Sequence, residues 1–449
     1  MSSQRVMGIC LFIAAADVIV SGLLTFIFNQ SMLRSHENTV MIDLGVMELF
    51  HDWFLFITVK AITHGVLLLK VKDFISSTVT EACALTAVAI ITAGISPATL
   101  TRMVLVLILS NYNSPVAFFV PMALAVLGII IIEIISIYVI VKQVHRIHSD
   151  EDGYLLIQTP FNKSALSWTM MTCGLIIFGI SITLFVERWP LYHVVTANLH
   201  AALLFATGIL GIITEKKRVR NLNIWHKIFT TYTAGIGAAS VVSIVRLLVF
   251  FTGNLINSGW RRGDFTALTL SQAIFTILGF TISLITMIAA DDVRNKTPTY
   301  RNTPITDTTS AGMLSTAVIV SGIGIFNIAV MNYPTYGFPV LIVSVMAYVG
   351  ARYGIDIQST SNELAKYAYF VLNVFNSAGS FWAMAMSVYE FLADQNYQTS
   401  LITTYYGFIY AFTTITTLSA IVLAGFSIKA AVTSSQDLNN VAEGRINME

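Results

Sequence analysis

Charge is what this chain is short of. Asp, Glu, Lys and Arg make up 11% of its 449 residues, where soluble domains carry about 25%. A chain so poor in charge cannot clothe a water-facing surface, and no polar face recurs along its apolar stretches to make them amphipathic. Cysteine is also scarce. Cys10, Cys83 and Cys173 all fall inside apolar runs, so they read as small buried hydrophobes rather than a disulfide framework. Catalytic signatures are missing too. There is no G-x-x-x-x-G-K-[ST] loop, no H-E-x-x-H and no G-x-S-x-G, and no run of Cys and His has metal-ligand spacing. The segments between apolar runs are too short for a catalytic domain. These absences argue against an enzyme, a metal centre and a bound cofactor. A formal net charge of +1 gives no ground for a nucleic-acid partner.

What is present is oil. Hydrophobic residues reach 55% and the mean hydropathy is +0.75. A spanning helix needs about 20 apolar residues. Twelve candidate stretches lie near 6–29, 48–70, 78–110, 115–142, 168–187, 191–214, 228–253, 268–290, 313–332, 335–353, 365–392 and 402–428. The expected fold is all-α and polytopic, with about twelve transmembrane helices. The first run follows only Met1–Val6 and is too long for a signal-peptide core, so it reads as a first span. Pro97 falls well inside a stretch, after Gly94 and Ser96, where it is expected to kink or break the helix.

Lys and Arg are retained on the cytoplasmic side of a bilayer. With the N-terminus inside, the outer segments hold only Arg34, Arg188, Arg261 and Arg262, and the inner ones hold most of the rest. The densest inner patch is Glu215, Lys216, Lys217, Arg218 and Arg220, followed by Lys227. An even span count then places both termini in the cytoplasm. Asn162 and Asn295 match the glycosylation pattern but fall inside, and Asn29 hugs the membrane, so all three are expected to be unmodified. Endoplasmic reticulum and plasma membrane are not distinguishable.

Two polar linkers divide the spans into fours. The expected organisation is 1–146 as unit 1, 147–166 as a linker, 167–292 as unit 2, 293–311 as a second linker, 312–431 as unit 3 and 432–449 as a tail. Each linker precedes a similar helix, Ser167–Gly179 and Gly312–Gly324. Thr92-Ala93-Gly94-Ile95 and Thr233-Ala234-Gly235-Ile236 recur in the third helices of units 1 and 2. The period of roughly 145 residues suggests tandem four-helix units. In unit 2 the run Gly208-Ile209-Leu210-Gly211-Ile212-Ile213-Thr214-Glu215-Lys216-Lys217 ends a glycine-containing second helix in a Glu-Lys pair. It resembles the CD20-like (MS4A) four-span membrane proteins, and unit 3 follows the looser pattern with Gly350 and Arg352. The resemblance implies a non-enzymatic membrane protein that works through oligomerisation and partners, with cytosolic termini. Three fused units depart from that family's single-unit pattern.

A charge in hydrocarbon costs about 2.5 to 3.5 kcal/mol on insertion scales, so ionisable residues in spans face protein or water. Asp17 and Lys60 lie at matching depths in the first two spans, and an Asp17–Lys60 pair is expected, as a structural lock or as part of an ion relay. His64 and Glu133 lie two turns from the inner face and could share a hydrogen bond. Arg102 and Arg246 sit in the outer leaflet, placed to reach lipid headgroups. His193 and His200 share a face, but no carboxylate or cysteine set accompanies them to bind metal. Small residues at Gly174 and Gly179, Gly235 and Ala239, and Gly350 and Gly354 favour close helix packing.

The expected function is a non-enzymatic scaffold or accessory subunit of a larger membrane assembly, with membrane lipids and other membrane subunits as partners and lipid organisation for a partner as an extension. The alternative is a secondary transporter or channel with the polar residues of unit 1 lining the path.

Overall fold

The computed structural model describes residues 3–33, 57–71, 74, 77–110, 116–147, 162–186, 192–254, 262–289, 309, 312–313, 315–319, 322, 344–345, 347–350, 363–396 and 403–446. Among the described residues the chain is helical and contains no strand. The helices are α1 (Ser3–Leu33), α2 (Val59–Lys70), α3 (Val79–Ser110), α4 (Val116–Val144), α5 (Lys163–Val186), α6 (Tyr192–Lys217), α7 (Arg220–Asn254), α8 (Arg262–Ala289), α9 (Glu363–Asn396) and α10 (Thr403–Ile446). Eight of them, all except α2 and α9, are long and apolar enough to cross a membrane. That marks the chain as a multi-pass membrane protein. The stretches near 313–332 and 335–353 fall largely outside the described residues, as do residues 48–56 of the stretch near 48–70. In α9, Asn373, Asn376, Ser377 and Ser380 dilute the apolar run.

The chain divides into two compact units, Met1–Asp291 and Asp292–Glu449. In the first, α1 packs on α2 and α4, and α3 packs on the same two helices. The next four repeat the order: α5 packs on α6 and α8, and α7 packs on the same two. The two rings meet where α3 lies against α6 and α7. In the second unit α9 packs on α10.

Lipid is as apolar as leucine, so the usual hydrophobic sorting is turned outward. On α4 the residues Leu124, Leu127, Ile130, Ile134, Ile137 and Val141 are exposed, and Ser136 and Gln143 are buried on the opposite face. Spacings of three and four put the first set on one helical stripe. The interior is held instead by close backbone approach at small residues. A Cβ at Gly208 of α6 would lie 2.7 Å from the Ser167 carbonyl oxygen and 2.9 Å from the Met171 nitrogen on α5. A Cβ at Gly174 of α5 would meet the Ala201 carbonyl oxygen at 2.6 Å. Beside these contacts Met170, Cys173, Ile177, Ala197, Ala201, Leu204 and Ile282 form a core shared by α5, α6 and α8. Gly179, on the other hand, faces open space. All three cysteines are free thiols.

The two related Thr-Ala-Gly-Ile runs flank one place on α6. Gly94 stands against Ala206, where an added Cβ would come within 2.5 Å of the Ala206 Cβ. Thr233 and Thr207 share a hydrogen bond at 2.9 Å. In both runs the threonine hydroxyl donates one turn back, Thr92 to the Val88 carbonyl and Thr233 to the Phe229 carbonyl, each at 2.8 Å. The helix α3 runs on through Pro97 without a break. It starts at a capping box, in which the Thr78 backbone N–H donates to Glu81 Oε2 and the Glu81 N–H donates to Thr78 Oγ1.

These contacts predict opposite outcomes for two glycines. Gly208→Ala is expected to destabilise the protein in detergent by about 1 to 3 kcal/mol through overpacking against backbone. Gly179→Ala, in open space, is expected to be neutral or to stabilise by up to about 1 kcal/mol through helix propensity. Thermal unfolding of the two variants, followed by size-exclusion chromatography, measures the difference.

Candidate functional site

Three helices, α2, α4 and α7, carry ionisable side chains into the interior of the Met1–Asp291 unit. Lys60 and His64 are one turn apart on α2, and both are buried, at 2% and 0% exposure. The Lys60 ammonium stands 5.8 Å from the centroid of the Tyr232 ring on α7, a distance at which a cation is drawn to a ring face. Tyr232 is itself buried. His64 Nδ1 lies 3.5 Å from the Ser136 hydroxyl on α4, and its Nε2 is buried without a hydrogen-bond partner. One turn before Ser136 on α4 stands Glu133, whose carboxyl lies within reach of Ser96 on α3 and whose Oε2 is buried without a partner. The single proton of the Ser96 hydroxyl is donated to the Thr92 carbonyl at 2.9 Å.

The expected neighbours are therefore rearranged. The expected His64–Glu133 hydrogen bond is not formed: His64 meets Ser136 of α4, and Glu133 meets Ser96 of α3. Asp17 turns elsewhere: its Oδ1 accepts from Ser21 at 3.3 Å, and its Oδ2 lies where a Cβ on Gly128 of α4 would meet it at 2.9 Å. Lys60 faces Tyr232 instead. Arg102 and Arg246 fall in α3 and α7, with side chains outside the described residues, as is that of His193.

His200 of α6 lies apart from this cluster and is fully buried, with neither ring nitrogen hydrogen-bonded. Its ring fills the space left by two glycines. A Cβ on Gly237 of α7 would lie 2.7 Å from His200 Nε2, and one on Gly279 of α8 would lie 3.3 Å from its Cε1. The seat explains why the imidazole carries no polar partner: it is packed as a flat ring against backbone. Nearby on α8, Gln272 donates to the Ser181 hydroxyl of α5 at 3.0 Å.

The basic patch forms one end of the same unit. Lys216, Arg218 and Arg220 are exposed and Lys217 is half-buried. Arg218 has φ 52, in the left-handed region, and its N–H donates to the Thr214 carbonyl at 2.8 Å, which closes the last turn of α6. Arginine in this conformation carries a strain of about 1 to 2 kcal/mol that glycine would not. At the same end Asn221 of α7 donates to Thr80 Oγ1 of α3 at 3.1 Å, and Arg146 donates to Ser77 Oγ at 3.3 Å. Lys70 is close enough to Glu81 to feel its charge.

Sequence reasoning picked out Lys60, His64 and Glu133 as costly residues in lipid, but it missed Tyr232, Ser136 and Ser96. The missed groups are hydroxyls, which are common in spans. Their roles come from which helix faces which.

Two variants test this geometry. In a double-mutant cycle of Lys60→Met and Tyr232→Leu, read by unfolding in detergent, a coupling of about 2 kcal/mol is expected for a desolvated cation over a ring, and additivity would remove the contact. Arg218→Gly is expected to raise stability by about 1 kcal/mol by relieving the left-handed strain, and the same assay reads it. Comparison with known proteins adds no relative: no family model, curated protein or solved structure matches the chain.

Proposed function

We propose that the chain is a non-enzymatic multi-pass membrane scaffold, an accessory subunit of a larger membrane assembly, with both termini in the cytoplasm and twelve spans in three tandem four-helix units. The observation that carries the reading is the rigid interior joined to an apolar exterior. Backbone contact at Gly94, Gly174 and Gly208, with the imidazole of His200 between Gly237 and Gly279, fixes α3 and α5 to α8 at short range. Faces such as Leu270, Ile274, Ile277 and Leu278 of α8 remain exposed. A stiff body with broad apolar faces suits passive docking of partner helices and lipid tails.

The tandem organisation is supported by the matching neighbour order of α1–α4 and α5–α8 and by the paired Thr-Ala-Gly-Ile runs beside Ala206 and Thr207. We read units 2 and 3 as CD20-like on the Gly208–Lys217 run, and Arg102 and Arg246 as lipid-headgroup residues. The basic turn Lys216–Arg220 is the cytoplasmic end, since retained Lys and Arg set orientation.

A second reading, a secondary transporter or channel through the first four helices, is favoured by one observation: Lys60 and His64 are buried one turn apart on α2, beside Tyr232 and Ser136, and Glu133 stands one turn from Ser136 on α4. Intramembrane ionisable groups that gather in this way mark ion and substrate paths.

Native purification in mild detergent with quantitative mass spectrometry separates the readings. The scaffold predicts a fixed set of co-purifying membrane proteins in constant ratio. A chain that purifies alone and gives solute-dependent flux in liposomes would replace it with the transporter. For orientation, Lys216→Cys in sealed vesicles of known sidedness is expected to react with an impermeant maleimide only from the cytosolic face; reaction from the opposite face would invert the topology.

A further inference from the structure

Asp17 sits where a short carboxyl has no way out of the membrane. It lies eight residues from Thr25, the nearer end of the α1 span, or about 12 Å along the axis. Lys and Arg snorkel toward the interface on a long stem, and the aspartate stem is too short for that. The side chain is half-buried. Its Oδ1 takes a hydrogen bond from the buried Ser21 at 3.3 Å, and its Oδ2 rests against Gly128 of α4, where a Cβ would come within 2.9 Å. The group is thus seated in the seam between α1 and α4, and no cation stands against it among the described residues. Helix α1 packs on α2 and α4, and its remaining face is open. Ile13, one turn before Asp17, and Val20, one turn after it, are 64% and 54% exposed. Leu124, one turn before Gly128 on α4, is exposed too.

We propose that the α1–α4 seam at Asp17 is a docking face for a transmembrane helix of another subunit, one that carries a Lys or Arg at mid-membrane depth. The inference rests on the accessory-subunit reading and names the chemistry of one partner. Charge selects the occupant. An ionised carboxyl in hydrocarbon is costly, and one hydroxyl donor meets only part of its bonding capacity. A basic side chain at the same depth supplies the counter-charge and fills the remaining acceptor sites, and an Arg fork meets both oxygens. The partner gains as well, because its own cation is costly in lipid until it is paired. Other occupants fit less well. A lipid headgroup amine stays at the interface, too far from Asp17. A second copy related by a two-fold axis brings an identical carboxyl to the same depth, and like charges repel. The exposed Ile13, Val20 and Leu124 supply the van der Waals contact around the pair that helix association in lipid requires.

The test uses the full chain in lipid nanodiscs, with fluorescent polyleucine helices of about 20 residues as probes. One probe has a central Lys, one has its Lys near an end, and one has none. The central-Lys helix is expected to bind wild type about tenfold more tightly than the other two, the worth of one interhelical polar contact. Asp17→Asn is expected to erase that preference and to leave binding of the Lys-free helix unchanged. Equal binding of the three helices to wild type would overturn the docking face, a result that needs no variant to fold. So would a preference that survives Asp17→Asn. In cells, a photoreactive residue in place of Ile13 is expected to crosslink to a protein whose span has a mid-depth Lys or Arg, and Asp17→Asn is expected to abolish the crosslink. A crosslink to this chain itself would overturn the proposal. A fixed partner set unchanged by Asp17→Asn sinks the docking face and leaves the scaffold in place. A chain that purifies alone sinks the scaffold, and the probe helices then decide the face by themselves.

Discussion

Contact between helix backbones at residues without a side chain is the interaction on which the Met1–Asp291 unit depends. Water is absent from the surroundings of these helices, so apolar burial gives them little reason to associate. Dispersion must do so, and it needs atoms at van der Waals distance over a long seam. Gly208 and Gly174 provide that seam between α5 and α6, and Gly94 extends it to α3 through Ala206. The polar groups follow from the same arrangement. Once the backbones touch, threonine and serine hydroxyls lie within reach of carbonyls one turn back, and many donate there. Such bonds occupy hydroxyls that would otherwise stay bare in lipid.

Much of this was legible in the chain. Poverty of charge and long apolar runs fixed an all-helical membrane protein, and eight of the twelve expected stretches stand as helices able to span. Low charge is a property of the whole chain, so no pairing of helices is needed to read it. The polar cluster was half legible. Lys60, His64 and Glu133 stand out because each is costly in lipid. Depth alone suggested Asp17 as the partner of Lys60, since residues at equal depth on consecutive helices can meet. Rotation about the helix axis decides the matter, and depth contains no information about rotation. Lys60 turns toward Tyr232 on α7, a helix more than 150 residues further along the chain. Asp17 turns toward Gly128.

Glycine spacing marks Gly174 and Gly179 alike as signs of close packing; Gly174 lies against the α6 backbone as expected, whereas Gly179 faces open space. Five residues advance a helix about 140° past a full turn, so the two glycines stand on different faces. The expectation at Pro97 also met a physical counterweight. A proline removes one backbone donor, yet the helix continues through it, held on one side against α4 and on the other against α6 and α7.

The seat of His200 limits how this protein can change shape. An imidazole lodged in two hollows on separate neighbours works like a key in a pair of keyways. Sliding α6 along its axis by even a fraction of a turn would drive the ring into the backbone of α7 or α8. Any rearrangement at that place must carry the three helices as one block, and relative motion is left to the contacts elsewhere that have no such key.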